Sequence, residues 1–186
     1  MVVELGIKLD KNIEYYDSML KSNGLKCVFN VVTHDVYYSN KLLNDLTEHE
    51  MKKACIRLRS CNGGEFNVDN RLLSNIEIKK VKNLTVFENL ISKYGYKKVF
   101  DTTKEDYHYY KEGMNSRIQL QQIKDIGLLV YYDNSNYYDL DLDTQRKMLI
   151  DDLKFYGFEI DYSTFGLDKL RTLYYGKEMY SKNQNG

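Results

Sequence analysis

Proline and tryptophan are absent from this sequence, while tyrosine is frequent at 18 residues. With its common lysine and asparagine, the chain has the residue usage of an AT-rich genome. Tyrosine number and Lys or Asn runs therefore carry little functional weight. Net charge is absent too, because Lys+Arg and Asp+Glu both total 27. A coat for nucleic acid of any sequence needs a basic excess, so no nucleic-acid partner is expected, although a local basic pocket is allowed. Cysteine is sparse. Cys27, Cys55 and Cys61 form an odd set without CxxC spacing, which argues for reduced thiols. Cys27 and Cys55 lie in apolar runs and read as buried packing residues, whereas Cys61 beside a turn reads as exposed. His34, His49 and His108 have no Cys or His partner at zinc spacing. Long apolar runs and a signal-peptide pattern are also missing, so the expectation is a cytoplasmic protein with no membrane partner. With 42% hydrophobic residues over 186 positions, one globular domain with a real core is expected across 1–186, ending in a polar, frayed tail over 177–186.

What is present begins at the N-terminus. Val3, Leu5, Ile7 and Leu9 alternate with Glu4, Gly6 and Lys8, the period of a strand with one apolar and one polar face. Later segments repeat the arrangement. In Ala54–Ser60, Ile56 and Leu58 face one way and Cys55, Arg57 and Arg59 the other. Asn62-Gly63-Gly64 reads as a hairpin turn into EFNVDN. Leu73–Val81 sets Glu77 and Lys79 opposite Ile76 and Ile78. Arg117, Gln119 and Gln121 share a face of Arg117–Ile123, and Leu129, Tyr131 and Asp133 share one of Gly127–Asp133. About eight strands result, mostly antiparallel. The fold class expected is α+β: a closed eight-stranded antiparallel barrel with a charged lumen and helices packed outside.

An internal repeat spans 12–60 and 84–123. At one constant offset Gly24 matches Gly95, Phe29 matches Phe100, Asp35 matches Asp106 and Tyr38 matches Tyr109. Each copy reads helix, glycine stop, long strand. Ile13, Tyr16 and Leu20 share one helical face, as do Phe87, Leu90 and Ile91, and Gly24 and Gly95 supply left-handed stops. Two further helices are expected over Leu142–Tyr156, capped by Asp141 or Asp143, and Ser163–Tyr175, with Leu167, Leu170 and Tyr174 inward.

This order of elements resembles the CYTH superfamily, the triphosphate tunnel proteins that include class IV adenylyl cyclases and thiamine triphosphatases. The likeness rests on ELGIK (Glu4–Lys8) for the opening ExExK strand, DVYY (Asp35–Tyr38), RLR (Arg57–Arg59), the Asp106 region, and IGLLVYYD (Ile126–Asp133). It implies a tunnel that binds a small triphosphate, with Mg²⁺ or Mn²⁺ held by carboxylates. The sequence also departs from the family. Gly6 replaces the second glutamate of ExExK, Tyr131 and Asp133 stand for a late Glu-x-Glu, Gln121 replaces an acid, and Lys104 is what remains of a Lys-x-Arg pair.

Phosphate binding needs converging cations, and Arg57 and Arg59, two apart on a strand, can grip neighbouring phosphates. Lys8 and Arg117 join them if the strands close, with Lys79 and Lys104 completing the set. Glu4, Glu77 and Asp133 are the metal ligands left. Two functions stay open. One is a metal-dependent triphosphate hydrolase or nucleotidyl cyclase; the other is a non-catalytic protein that binds a nucleotide or polyphosphate. A lumen plugged by Tyr37, Tyr107 and Tyr131 is a third outcome. The partner expected is a small-molecule triphosphate or polyphosphate, and a homodimer is left open.

Overall fold

The computed structural model describes residues 3–69 and 80–179. In chain order the elements are β1 (Leu5–Lys8), α1 (Ile13–Ser22), β2 (Lys26–Ser39), α2 (Glu48–Ala54), β3 (Ile56–Cys61), β4 (Phe66–Asp69), β5 (Lys80–Val81), α3 (Leu84–Ser92), β6 (Lys97–Tyr110), β7 (Ser116–Ile123), β8 (Gly127–Asn134), α4 (Leu142–Phe155) and α5 (Lys169–Tyr175). Local chemistry accounts for the ends. Asn12, Asn83 and Asp141 accept backbone N–H groups at the starts of α1, α3 and α4, and Thr47 and Glu50 form a reciprocal capping box on α2. Gly24 and Gly95 take the left-handed conformation after α1 and α3, at φ +81° and +80°.

The strands form one antiparallel ladder in the order β1-β8-β7-β6-β2-β3-β4-β5. It is an open sheet, which corrects the expected closed barrel. Among the described residues β1 pairs with β8 alone and β5 with β4 alone, so the two ends are edges. At the β1 edge the polar side meets a helix and the tail after it. The Leu170 N–H of α5 donates to Glu48 of α2, and Glu178 just beyond α5 pairs with Lys8 of β1. Most of the strand read over Leu73–Val81 lies outside the described residues, as do positions 180–186 of the tail.

The sheet's apolar face holds two cores. Ile7, Tyr132, Val130, Leu120 and Tyr109 pack under α1 and α4 through Tyr16, Leu20, Leu149 and Leu153. Val36, Tyr38, Ile56 and Leu58 pack under α3 through Phe87 and Ile91. Burying one such aliphatic side chain contributes about 1.5–3 kcal/mol. Leu90, read on the same face as Phe87 and Ile91, is 39% exposed, while those two are buried.

The other face is polar, and α2 and α5 lie against it. This corrects the expectation that every helix packs outside. Leu170 joins Tyr37, Leu43 and Met51 in one cluster, while Leu167 and Leu173 pack against Ile123, Ile126 and Leu129 in another. The helix is also shorter than Ser163–Tyr175: a single 3-10 turn (Tyr162–Thr164) precedes Gly166 at φ +74°, and α5 begins at Lys169. Cys55 is buried and Cys61 exposed, but Cys27 is only half-buried beside the open part of β2. No helix among the described residues is long and apolar enough to cross a membrane.

Candidate functional site

Ladder partners lie on the same face of a sheet. The register sets Asp35 opposite Arg59, Tyr37 opposite Arg57, Thr33 opposite Lys104, and Lys104 opposite Ile123. The alternation read from the sequence therefore holds: Arg57 and Arg59 point away from Ile56 and Leu58, into the space beneath α2 and α5. A cavity of about 350 Å³ opens there. Among the described residues its wall carries six cationic side chains: Lys52 and Lys53 from α2, Arg57 and Arg59 from β3, Lys104 from β6 and Lys169 from α5. His49, Tyr37, Cys55, Gln121 and Glu48 also reach it.

Asp35 is the keel of the cluster. It is fully buried. Arg59 donates through Nε and Nη2 to its two oxygens at 2.7 Å each, and Lys104 Nζ donates to Oδ2 at 2.6 Å. Burial alone would push the carboxyl up, but the Arg59 and Lys104 cations outweigh it and hold Asp35 at about 2. Burial also holds Lys104 below its ordinary value, despite Asp35. Burial first, then the Asp35 carboxylate, push the Tyr37 hydroxyl up to about 12, against the opposing pull of Arg57. Beside this cluster two buried hydroxyls, Thr33 Oγ1 and Thr102 Oγ1, have no hydrogen-bond partner among the described residues. Buried polar atoms are rarely left so unless water or a ligand meets them.

Lys169 closes the cavity from above. Its Nζ sits 4.3 Å from the centre of the Tyr131 ring and 3.4 Å from Gln121 Oε1. Burial, then repulsion from Lys104, pushes it down to about 8. The helix that carries it is pinned: Glu48 Oε2 accepts the Leu170 N–H at 3.0 Å, Tyr174 donates to Asn44 at 2.9 Å, and the Tyr175 hydroxyl accepts the Asp45 N–H at 3.2 Å.

The structure thus brings Arg57, Arg59 and Lys104 together and leaves other anticipated cations outside the cavity wall. Lys8 shares the polar face but pairs with Glu178. Arg117 shares it too, at the far end of β7 opposite Asp133. Lys79 and Glu77 lie outside the described residues. Of the other anticipated metal ligands, Glu4 is exposed just before β1, and Asp133 accepts the Tyr138 hydroxyl at 2.6 Å. Neither reaches the cavity wall. Of the three tyrosines read as a plug, Tyr37 and Tyr131 are on this face, but Tyr107 packs against the core on the opposite one. Sequence reading missed Lys52, Lys53 and Lys169. The signal for the first two was the Thr47-x-x-Glu50 capping box, which announces a helix placing both lysines in its last turn.

An Mg²⁺ or Mn²⁺ ion does not fit the side chains at the cavity. Among the described residues no three His, Cys, Asp or Glu groups come together. The one carboxylate on the wall among the described residues, Glu48, is engaged by Lys52 at 3.0 Å and by the Leu170 N–H. Asp35 is enclosed by its own cations. Gly6 has no room for a glutamate, since a Cβ there would lie 2.8 Å from Tyr131 Cε1.

The fold has solved counterparts. A candidate adenylyl cyclase from Hippeastrum, described as having a dominant triphosphatase activity, superposes with a TM-score of 0.59 at 14% identity, covering 96% of this chain and 98% of its own. A candidate adenylate cyclase from Vibrio parahaemolyticus gives 0.54 at 16% identity, with 88% and 91% covered. A protein from Pyrococcus horikoshii gives 0.55 at 17% identity, with 89% and 94% covered. No protein-family model matches the chain, and no curated protein matches it in sequence. At these identities the likeness is one of fold, and at that level the resemblance read from the sequence holds.

Proposed function

We propose that this chain binds a small polyphosphate, a triphosphate in the first instance, in the cavity between the polar sheet face and helices α2 and α5. One observation carries the reading: six cationic side chains line a cavity of about 350 Å³, against Glu48 on its wall and Asp35 beneath it. Like charges gathered in one place repel, and burial adds to the cost of each. An anion relieves both. Arg57 and Arg59 supply planar forks for phosphate oxygens; Lys52 and Lys53 supply mobile point charges from α2, and Lys169 a positioned one from α5. Arg59 and Lys104 are oriented by Asp35, which fixes the floor before ligand arrives and lowers the ordering cost of binding. The fold counterparts from Hippeastrum and Vibrio, named for adenylyl cyclase and triphosphatase chemistry, support a triphosphate as the ligand.

The reading is one of binding. Among the described residues the carboxylates that would hold a catalytic metal do not meet at the cavity. The test is calorimetric titration of inorganic tripolyphosphate, ATP and thiamine triphosphate into the purified protein, with phosphate, pyrophosphate and cyclic product assayed on the same samples. Saturable binding that weakens with added salt is expected. Absence of heat and of any rise in melting temperature with all three ligands refutes the proposal.

A further inference from the structure

Three replacements on the polar face belong together in space. Gly6 and Tyr131 are direct partners across β1 and β8, and Gln121 lies on β7, the strand next to β8, opposite Leu129. All three stand where the sequence resemblance placed acids. The structure fills the place of those acids with a coherent set of neutral groups, and over them it sets one ammonium, that of Lys169.

Each contact has a reason. The Tyr131 ring presents its electron-rich face to Lys169, an attraction that grows when water is excluded. Gln121 turns its carbonyl oxygen toward Lys169 and its amide N–H toward Asp106 Oδ1, which also accepts Gln119 Nε2 at 2.7 Å. An acid at position 121 would confront Asp106 carboxylate to carboxylate and require a cation between them. The amide removes that requirement. Glu48 fixes the backbone of the next residue, Leu170, so the ammonium is held over the cavity rather than swinging in solvent.

We propose that Lys169 supplies, as a fixed ammonium, the positive charge a divalent cation would otherwise bring, so that polyphosphate enters this cavity independently of Mg²⁺ and Mn²⁺. The inference rests on the polyphosphate reading above and adds how the charge is met. A divalent ion in solution then competes: it binds the free polyphosphate, lowers its charge and weakens uptake by a cavity that is already cationic.

The experiment is titration of inorganic tripolyphosphate into the wild type, Lys169→Arg, Lys169→Met and Arg57→Ala, each in EDTA and in excess Mg²⁺, with circular dichroism to check folding. The wild type should bind in EDTA and bind more weakly in Mg²⁺. Lys169→Met should lose at least about tenfold in affinity, and Lys169→Arg should retain most of it. Wild-type binding that requires Mg²⁺, or is strengthened by it, overturns the inference, as does a folded Lys169→Met with wild-type affinity in EDTA. Those outcomes leave the polyphosphate site standing, provided Arg57→Ala still weakens binding. Failure of the wild type to bind in either buffer refutes the site itself. The wild-type comparison does not depend on any variant folding.

Discussion

Gly6 and Tyr131 face each other across the β1–β8 ladder so closely that a Cβ on Gly6 would lie 2.8 Å from Tyr131 Cε1. The glycine and the ring are therefore one structural choice. The ring is also engaged by Lys169, 4.3 Å from its centre, which restrains its retreat. Gly6→Ala should cost about 1–3 kcal/mol by overpacking. In a denaturant double-mutant cycle with Tyr131→Ala the two changes should couple, the alanine at position 6 costing much less once the ring is gone. Strict additivity would mean that the ring yields freely.

Asp35 neutralises two cations in the floor of the cavity, and Asp35→Asn should leave the buried Lys104 and the half-buried Arg59 without their carboxylate. Destabilisation of about 3–5 kcal/mol in urea unfolding is expected. The carboxyl sits at about 2 in the folded chain against an ordinary 3.8. Its folded value is depressed, so its stabilisation is present above about pH 4 and lost as pH falls toward 2. The stability gap between the wild type and Asp35→Asn should narrow over that interval; a gap unchanged down to low pH would speak against the ion-paired floor.

Lys169 holds its proton less tightly than an ordinary lysine, at about 8 against 10.5. Between those values the unfolded chain binds more protons than the folded one, so this group makes stability rise with pH across that window. Anion binding runs the other way, because phosphate favours the charged ammonium. Affinity for tripolyphosphate should fall as pH is raised through about 8, by up to about tenfold per unit. Lys169→Arg, which stays charged, should flatten the profile. Equal slopes in the two proteins would remove Lys169 from the site.

Anticipated cations that share the sheet face are not equivalent. Arg57→Ala should weaken tripolyphosphate binding by about tenfold or more. Lys8→Ala and Arg117→Ala should change it by less than about threefold, since both side chains lie outside the cavity wall and act through screened solvent. The Lys8–Glu178 pair is partly exposed, and its loss should cost no more than about 1 kcal/mol. Parallel titrations of the three variants check the ranking.

The sequence was legible where one physical rule decides the outcome. A period of two separates Arg57 and Arg59 from Ile56 and Leu58 whatever the sheet does next, and those residues fall as read. The glycine stops at Gly24 and Gly95 are equally local. Closure was not legible. Whether β1 meets the far edge depends on pairings between distant segments, and no residue in Leu5–Lys8 announces its neighbour. Nor does the apolar stripe of α5 say which side of the sheet it will cover: Leu170 and Leu173 would read the same on either face. Lys169 was hidden for that reason, since it becomes a site residue only when its helix crosses the polar side. Lys8 shows the converse, correctly assigned to a face yet drawn into a pair with a residue near the other end of the chain.

The most direct test of the central claim is a crystal structure of the protein soaked with tripolyphosphate in EDTA. Phosphate density is expected within hydrogen-bond reach of Arg57, Arg59 and Lys169, beneath α5, with Asp35 still bound by Arg59 and Lys104. Phosphate seated at Lys8 or Arg117 with the cavity holding only water would contradict it.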